Sequence, residues 1–182
     1  MGPFLDAAND SGWQVFGTDI SAQAVDYVQK TLNYPAVCGS FPDVDLSAEF
    51  GIDAVTMWYV LEHFENADAV LKAVSSLLKK GGIFAFSTPS ASGISAKFNT
   101  EEFYASSPAD HYTLWETGRV EQILHRYGFK VVKFVPTGIH PERFPCVKNK
   151  NLSDKSLKFK LLGMAAKMMR LGDTFEVYCR KI

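Results

Sequence analysis

Cysteine is scarce in this chain and follows no pattern. Cys38, Cys146 and Cys179 are an odd count with no CxxC and no Cys/His spacing. That excludes a disulfide framework and suits reduced core or surface thiols in a cytoplasmic protein. An excess of charge of one sign is also lacking. Nineteen Lys and Arg stand against twenty Asp and Glu, for a net charge of −1. No global field therefore recruits nucleic acid or an acidic membrane. No apolar run approaches the ~18 residues of a membrane span. No charged segment leads an apolar core at the N-terminus, and Asp6 stands where a myristoylation pattern needs Ser or Thr. Neither a nucleic-acid partner nor stable membrane insertion is expected. Internal repeats and low-complexity tracts are absent as well.

What is present is an ordinary globular composition, 47% hydrophobic and 21% charged over 182 residues, which suits a single domain. Residues 3–10 read as a helix with Pro3 in its first turn and Gly12 past its end. The apolar run 13–19 reads as a strand. Ser21 caps a helix over 22–32, and 36–41 is a short second strand. Residues 52–60 form the long apolar run of a strand buried on both faces. A helix starts at Asn66 or Asp68 and carries Val70, Leu71, Val74, Leu77 and Leu78 in one stripe. Gly81 and Gly82 are expected to stop it. Then come the strand 83–88, a loop-rich stretch 90–115, a helix 116–127, a strand 129–135, a basic helix near 154–171 and a strand 174–180. Alternation of strand and helix predicts an α/β fold with a mostly parallel sheet covered on both faces. The strands 13–19, 36–41, 52–60 and 83–88 are expected to be parallel members of one sheet.

Within that pattern Asp19 is the residue that points furthest toward chemistry. It ends the run 13–20 (WQVFGTDI), seventeen residues after Gly2, with a helix directly behind it. Open α/β sheets bind ligands outside the C-terminal ends of their strands. A fixed carboxylate there suits the two hydroxyls of a ribose, and dinucleotide sites place such an acid about 20 residues after a glycine turn. The plainer alternative is an acid paired with the dipole of the helix 22–32.

Several stretches together resemble the class I S-adenosylmethionine-dependent methyltransferases, closest to the small-molecule group that includes the ubiquinone-biosynthesis O-methyltransferases. Gly2-Pro3-Phe4-Leu5 is similar to the end of the glycine-rich loop, and Phe16-Gly17-Thr18-Asp19-Ile20-Ser21 to the motif carrying the ribose-binding acid. Asp53-Ala54-Val55 through Val60-Leu61-Glu62-His63 resembles the fourth-strand motif. Leu77-Leu78-Lys79-Lys80-Gly81-Gly82 with Ser87-Thr88-Pro89 resembles the fifth-strand turn, with Lys80 where proline is usual. Ser107-Pro108-Ala109-Asp110-His111-Tyr112 and the closing Gly172-Asp173 strand fit the same group. The resemblance implies a Rossmann-like methyltransferase sheet whose first strand and first two loop glycines are missing, so that Gly2 alone represents the loop. It also implies a C-terminal strand antiparallel between its neighbours, and a slot between 13–19 and 52–60 that is empty, narrowed or filled by another segment. Unpaired sheet edges are then expected to favour self-association.

The resemblance implies S-adenosyl-L-methionine as cofactor and a small-molecule acceptor, with O-methylation favoured. Cofactor-binding roles fall to Gly2, Asp19, Ile20, Gly39, Ser40, Phe41, Trp58 and Tyr59. Ile20 and the Gly39-Ser40-Phe41 turn would flank the adenine, and Trp58 or Tyr59 the methionine end. His111 would take the acceptor's proton, since imidazole titrates near neutrality. Some relatives are thought to hold a divalent metal with Glu-x-x-Glu-His. Here Tyr59 replaces the first acid, which leaves Glu62 and His63 as two ligands, too few for a metal. The helix 154–171, with Lys155, Lys158, Lys160, Lys167 and Arg170, reads as a cover for the sheet or as a basic amphipathic surface. Two other functions compete: a nicotinamide-dependent oxidoreductase using the same acid on a ribose, and a truncated non-catalytic domain acting by association.

Overall fold

The computed structural model of the protein describes residues 2–44, 46, 51–147 and 153–182. Where length suggests one domain, the chain divides into two compact units, within residues 1–50 and 51–182. Among the described residues no helix is long and apolar enough to cross a membrane.

The first unit runs α1 (Pro3–Asp10), β1 (Gly17–Asp19), α2 (Ala22–Lys30) and β2 (Ala36–Cys38). β1 and β2 pair in parallel, Gly17 opposite Ala36 and Asp19 opposite Cys38. Ser21 caps α2 by accepting the Ala24 N–H, as its position predicts. Val25, Val28 and Ala36 form the core, with Leu5, Leu32 and Tyr34 packed around it. The strand expected over 13–19 shrinks to its last three residues. The Trp13 N–H is already spent on the Ala8 carbonyl at the end of α1, and half of Trp13 is exposed.

The second unit holds β3 (Ile52–Trp58), a 3-10 turn (Leu61–His63), α3 (Ala67–Leu77), β4 (Leu78–Pro89), α4 (Ile94–Phe98), α5 (Thr100–Ala105) and α6 (Val120–Arg126). There follow β5 (Phe129–Thr137), a second 3-10 turn (Pro141–Arg143), α7 (Leu157–Met168) and β6 (Thr174–Lys181). The sheet order is β3-β4-β6-β5, with β3 parallel to β4 and β6 antiparallel to both β4 and β5. The C-terminal strand is thus antiparallel between its neighbours, as expected.

The parallel strands form two ladders, β1 with β2 and β3 with β4. Two expectations need correction. The strand buried on both faces is β4, not β3. β4 is hydrogen-bonded on both sides and covers Phe84, Ala85, Phe86, Ser87 and Thr88 almost completely, whereas β3 buries only Met57. Last, Gly81 and Gly82 do not stop α3. Leu78 leaves the helix in an extended conformation and pairs with Ile52. The register then jumps to Ala54 opposite Ile83, so residues 79–82 bulge opposite Asp53. Lys79 pairs with the Asp53 carboxylate there, and Gly81 takes the positive φ the bulge requires.

Aromatic residues fill one face of the larger sheet. Phe84 stacks on Phe86 at 5.1 Å and tilts against Phe129 at 5.6 Å, while Phe175 stacks on Phe134 at 5.2 Å. Phe84, Phe86, Phe129 and Phe175 are fully buried, each worth roughly 1.5–3 kcal/mol of transfer free energy. Val120 and Leu124 of α6 and Val70, Leu71 and Val74 of α3 bury their apolar stripes. The stretch expected to be loop, 90–115, contains α4 and α5. Asp173 holds α4 in place: its carboxylate accepts the Ser95 N–H at 2.8 Å, the Ser95 hydroxyl at 2.6 Å and an Arg143 N–H at 2.6 Å.

The three cysteines divide by position. Cys38 and Cys146 are exposed and Cys179 is buried in β6, where burial pushes its thiol up to about 12. A thiolate is the reactive species. At neutral pH Ellman's reagent should titrate two thiols in the folded protein and a third only in denaturant. Rapid reaction of all three in the folded chain would contradict the placement of β6.

Candidate functional site

In the first unit the residues at the strand tips come together. The Asp19 carbonyl accepts the Gly39 N–H at 3.0 Å, and the Thr18 hydroxyl donates to the Gly39 carbonyl at 3.3 Å. The Cys38 thiol lies 3.6 Å from the Ile20 carbonyl. The carbonyl of Ser40 accepts N–H groups from Asp43 and Val44. Asp19, Ile20, Gly39, Ser40 and Phe41 therefore gather at one end of the β1–β2 pair. Ile20 is 78% exposed and Phe41 is buried, so an apolar side chain stands open beside a packed aromatic wall. Gly39 has no room to be larger, since a Cβ there would lie 2.5 Å from Val44 Cγ2.

Asp19 has the geometry of a preset acceptor. Its Oδ1 takes the Ser21 N–H at 2.8 Å, which fixes the plane of the carboxylate. Its Oδ2 has no hydrogen-bond partner among the described residues. The plain reading and the functional one thus coexist: one oxygen holds the entry to α2, and the other is free to accept from a ligand.

Gly2 is placed elsewhere. It caps α1 in a left-handed conformation, φ +73°, and a Cβ there would collide with Leu32. Leu32 lies beyond the C-terminal end of α2, whose nine residues span about 14 Å, while Asp19 sits at its start. The structure does not bring Gly2 to the Asp19 cluster.

In the second unit the ends of β3 and β4 carry the remaining candidates. Trp58 ends β3 opposite Ser87. The Tyr59 N–H is shared between the Ser87 carbonyl at 3.1 Å and the Ser87 hydroxyl at 3.0 Å. This holds Tyr59 at φ +54°, a conformation costing an L-residue roughly 1–2 kcal/mol. Half of its side chain is exposed. Strain of this kind persists only where neighbours enforce it, and it collects at ligand sites.

Just beyond, the chain assembles a group that sequence spacing did not reveal. Glu62 is 1% exposed, and its carbonyl accepts N–H groups from Tyr112 at 2.8 Å and Thr113 at 3.3 Å. These bonds pin the segment 110–113 against the turn 61–63. Nδ1 of His63 lies 3.1 Å from the Asp110 carbonyl and 3.2 Å from its carboxylate. A carbonyl only accepts, so Nδ1 is the donor in this contact. The His63 and His111 rings meet edge to face at 4.8 Å. Donor atoms of Glu62, His63 and His111 all lie within 4.8 Å of one another. The two ligands counted from sequence are thus joined by a third, a set that can share a proton or hold a divalent cation. The sequence carried no signal of this, because the two parts are 48 residues apart and joined by main-chain bonds.

Buried polar atoms without a partner mark the same region. Among the described residues Glu62 Oε2, Thr88 Oγ1, Thr113 Oγ1 and Trp115 Nε1 are buried and unpaired. They belong to the turn 61–63, the end of β4 and the segment 113–115. Ser90, just after β4, bridges to Trp115. Buried polar groups are normally satisfied, so a concentration of orphans is expected where a polar molecule or water binds.

Comparison with known proteins agrees with this architecture. Residues 1–133 match the family described as methyltransferase domain. An S-adenosylmethionine-dependent methyltransferase from Archaeoglobus fulgidus is 16% identical, with a TM-score of 0.67 over 99% of this chain and 81% of that one. The plantazolicin methyltransferase, solved with a triazolic desmethyl analogue and S-adenosylhomocysteine, is 17% identical. Its TM-score is 0.58 over 98% of this chain and 73% of that one. The [4+2]-cyclase SpnF is 15% identical, with a TM-score of 0.59 over 98% of this chain and 71% of that one. At such identities the likeness shows the fold alone. No curated protein sequence matches the chain significantly.

The orphaned Glu62 oxygen makes a stability prediction. Burying an unpaired carboxylate oxygen costs free energy that an apolar side chain of similar length avoids. Glu62→Met should stabilise the free protein by about 1 kcal/mol, read as a higher urea midpoint. A lower midpoint would show that the oxygen is already satisfied.

Proposed function

We propose that this chain, which belongs to the methyltransferase-domain family, transfers the methyl group of S-adenosyl-L-methionine to an oxygen of a small molecule. Family membership supports the reaction class. The single observation that carries the acceptor side is the group formed by Glu62, His63 and His111 among orphaned buried polar atoms.

The reaction is an in-line displacement at a sulfonium. An oxygen lone pair of the acceptor attacks the methyl carbon, the carbon–sulfur bond breaks, and its electron pair neutralises the sulfur. The donor brings its own leaving group, so the protein's task is to align the three atoms and exclude water. The acceptor hydroxyl must lose a proton as its oxygen bonds carbon. His111 takes that proton, and the Glu62 carboxylate offsets the charge that forms on the imidazole.

On the donor side, Asp19 Oδ2 accepts from the ribose hydroxyls, with the carboxylate held in plane by the Ser21 N–H. Ile20 and the Gly39-Ser40-Phe41 turn give an adenine-sized apolar surface with few polar groups. Gly2 takes no part in this reading, because it packs on Leu32. Three unpaired cysteines fit a reducing cytoplasm. Self-association is a further part of the reading. Among the described residues β3 is hydrogen-bonded only to β4, and an open edge of seven residues is a pairing surface.

Calorimetric titration tests the donor site. Adenosylhomocysteine should bind and NAD should not, and Asp19→Ala should weaken binding by roughly 1–3 kcal/mol. Unchanged affinity would remove Asp19 from the site, and preference for NAD would favour a nicotinamide-dependent oxidoreductase.

The acceptor site is tested by adenosylhomocysteine release from a panel of phenolic acceptors. His111→Gln should lower kcat by about 10²–10⁴ while leaving donor affinity unchanged. A chelator should leave the rate unaltered. A rate lost on chelation and restored by a divalent cation would make Glu62, His63 and His111 metal ligands instead.

A further inference from the structure

α7 carries two apolar faces, and only one of them is used inside the molecule. Ala166 is completely buried and packs with Ile94 and Leu171, against which Ile139 and Phe144 also lie. The helix therefore covers α4 and the 3-10 turn at Pro141 (Pro141–Arg143) rather than the sheet. On the opposite side Leu157, Leu161, Met164 and Met168 are 73%, 53%, 65% and 85% exposed. At 100° per residue these four fall within about 60° of arc, a straight apolar stripe along the outside. Lys158 flanks the stripe on one side, Lys160 and Lys167 on the other. All three are exposed, and none is in an ion pair among the described residues. No acidic residue occurs between Asp154 and Asp173. In a chain of net charge −1 this local cation density is set by sequence, not by overall charge.

We propose that α7 is a membrane-surface helix, lying in the plane of an anionic bilayer with this stripe among the acyl chains and its lysines at the headgroups. Charge complementarity selects the occupant. A rail of lysines on each side of an outward apolar stripe matches a plane of negative headgroups over hydrocarbon. A second copy of the same face would oppose cation to cation. Long lysine stems reach outward while their methylenes stay apolar, and methionine side chains adapt to a disordered lipid surface. Twelve residues are too few to cross a bilayer of about 30 Å, so the helix rests on it. An enzyme so placed meets apolar acceptors that partition into membranes.

The test is co-sedimentation of the purified full chain with vesicles of phosphatidylcholine containing about a third phosphatidylglycerol, against pure phosphatidylcholine. The chain should pellet with the anionic vesicles only, and added salt should release it. Each of Lys158→Ala, Lys160→Ala and Lys167→Ala should weaken partitioning about fivefold, from roughly 1 kcal/mol per lysine. Leu161→Ser with Met168→Ser should abolish it without altering the thermal melt or adenosylhomocysteine binding. Binding equal on both vesicles, or indifferent to these substitutions, would overturn the proposal. So would a dimer by light scattering that Leu161→Ser dissolves, which would give the stripe to a second copy. Adenosylhomocysteine binding without vesicle binding would overturn this inference and leave the proposed reaction standing.

Discussion

β4 is hydrogen-bonded along both of its edges, parallel to β3 and antiparallel to β6. Everything placed precisely in the second unit is referred to that strand. Phe84 and Phe86 project from it into the aromatic face shared with Phe129 and Phe175. At its other end Ser87 holds Tyr59 in its left-handed conformation, and Ser90 meets Trp115. One strand thus supplies both the core and the platform for the chemistry. This follows from its position: a strand paired on both sides cannot shift in register without breaking two ladders.

The acceptor-side group is held largely by main chain. The Glu62 carbonyl takes two N–H groups from the segment 112–113 and His63 Nδ1 meets the Asp110 carbonyl, so Glu62, His63 and His111 are brought together while Glu62 Oε2 stays unpaired. A catalytic arrangement gains from this, because atoms used in holding the site are not available for proton transfer. Asp19 shows the same division on a smaller scale, one oxygen bound to Ser21 N–H and the other open. Around the acceptor-side group the protein accepts two local costs, an orphaned buried oxygen at Glu62 and a positive φ at Tyr59. Such costs are commonly retained where binding or chemistry depends on them.

α7 illustrates how one helix can answer to two environments. Its inward residue Ala166 is small enough to let the helix sit close on Ile94 and Leu171. The outward leucines and methionines are not part of that cluster and stay more than half exposed. A globular protein gains no stability from an exposed apolar stripe, so its presence calls for a surface to cover it.

Much of this was legible in the residues themselves. Ser21 and Asn66 cap their helices by accepting the N–H three residues on, because capping is a local matter of one side chain and one turn. The alternation of most strands and helices follows from periodicity, while the antiparallel closing strand and the grouping of Asp19 with Gly39 follow from the resemblance to the methyltransferase family. What only the tertiary structure decided is nonlocal. Hydrophobicity cannot tell a strand paired on both sides from one paired on a single side, so the doubly buried strand was read as β3 when it is β4. The bulge at residues 79–82 depends on where Leu78 finds Ile52. The meeting of His111 with Glu62 and His63 depends on hydrogen bonds from residues 112 and 113, whose partners no spacing encodes. Local sequence determines how each segment turns and which face is apolar, and only the folded chain determines which distant backbone groups satisfy one another.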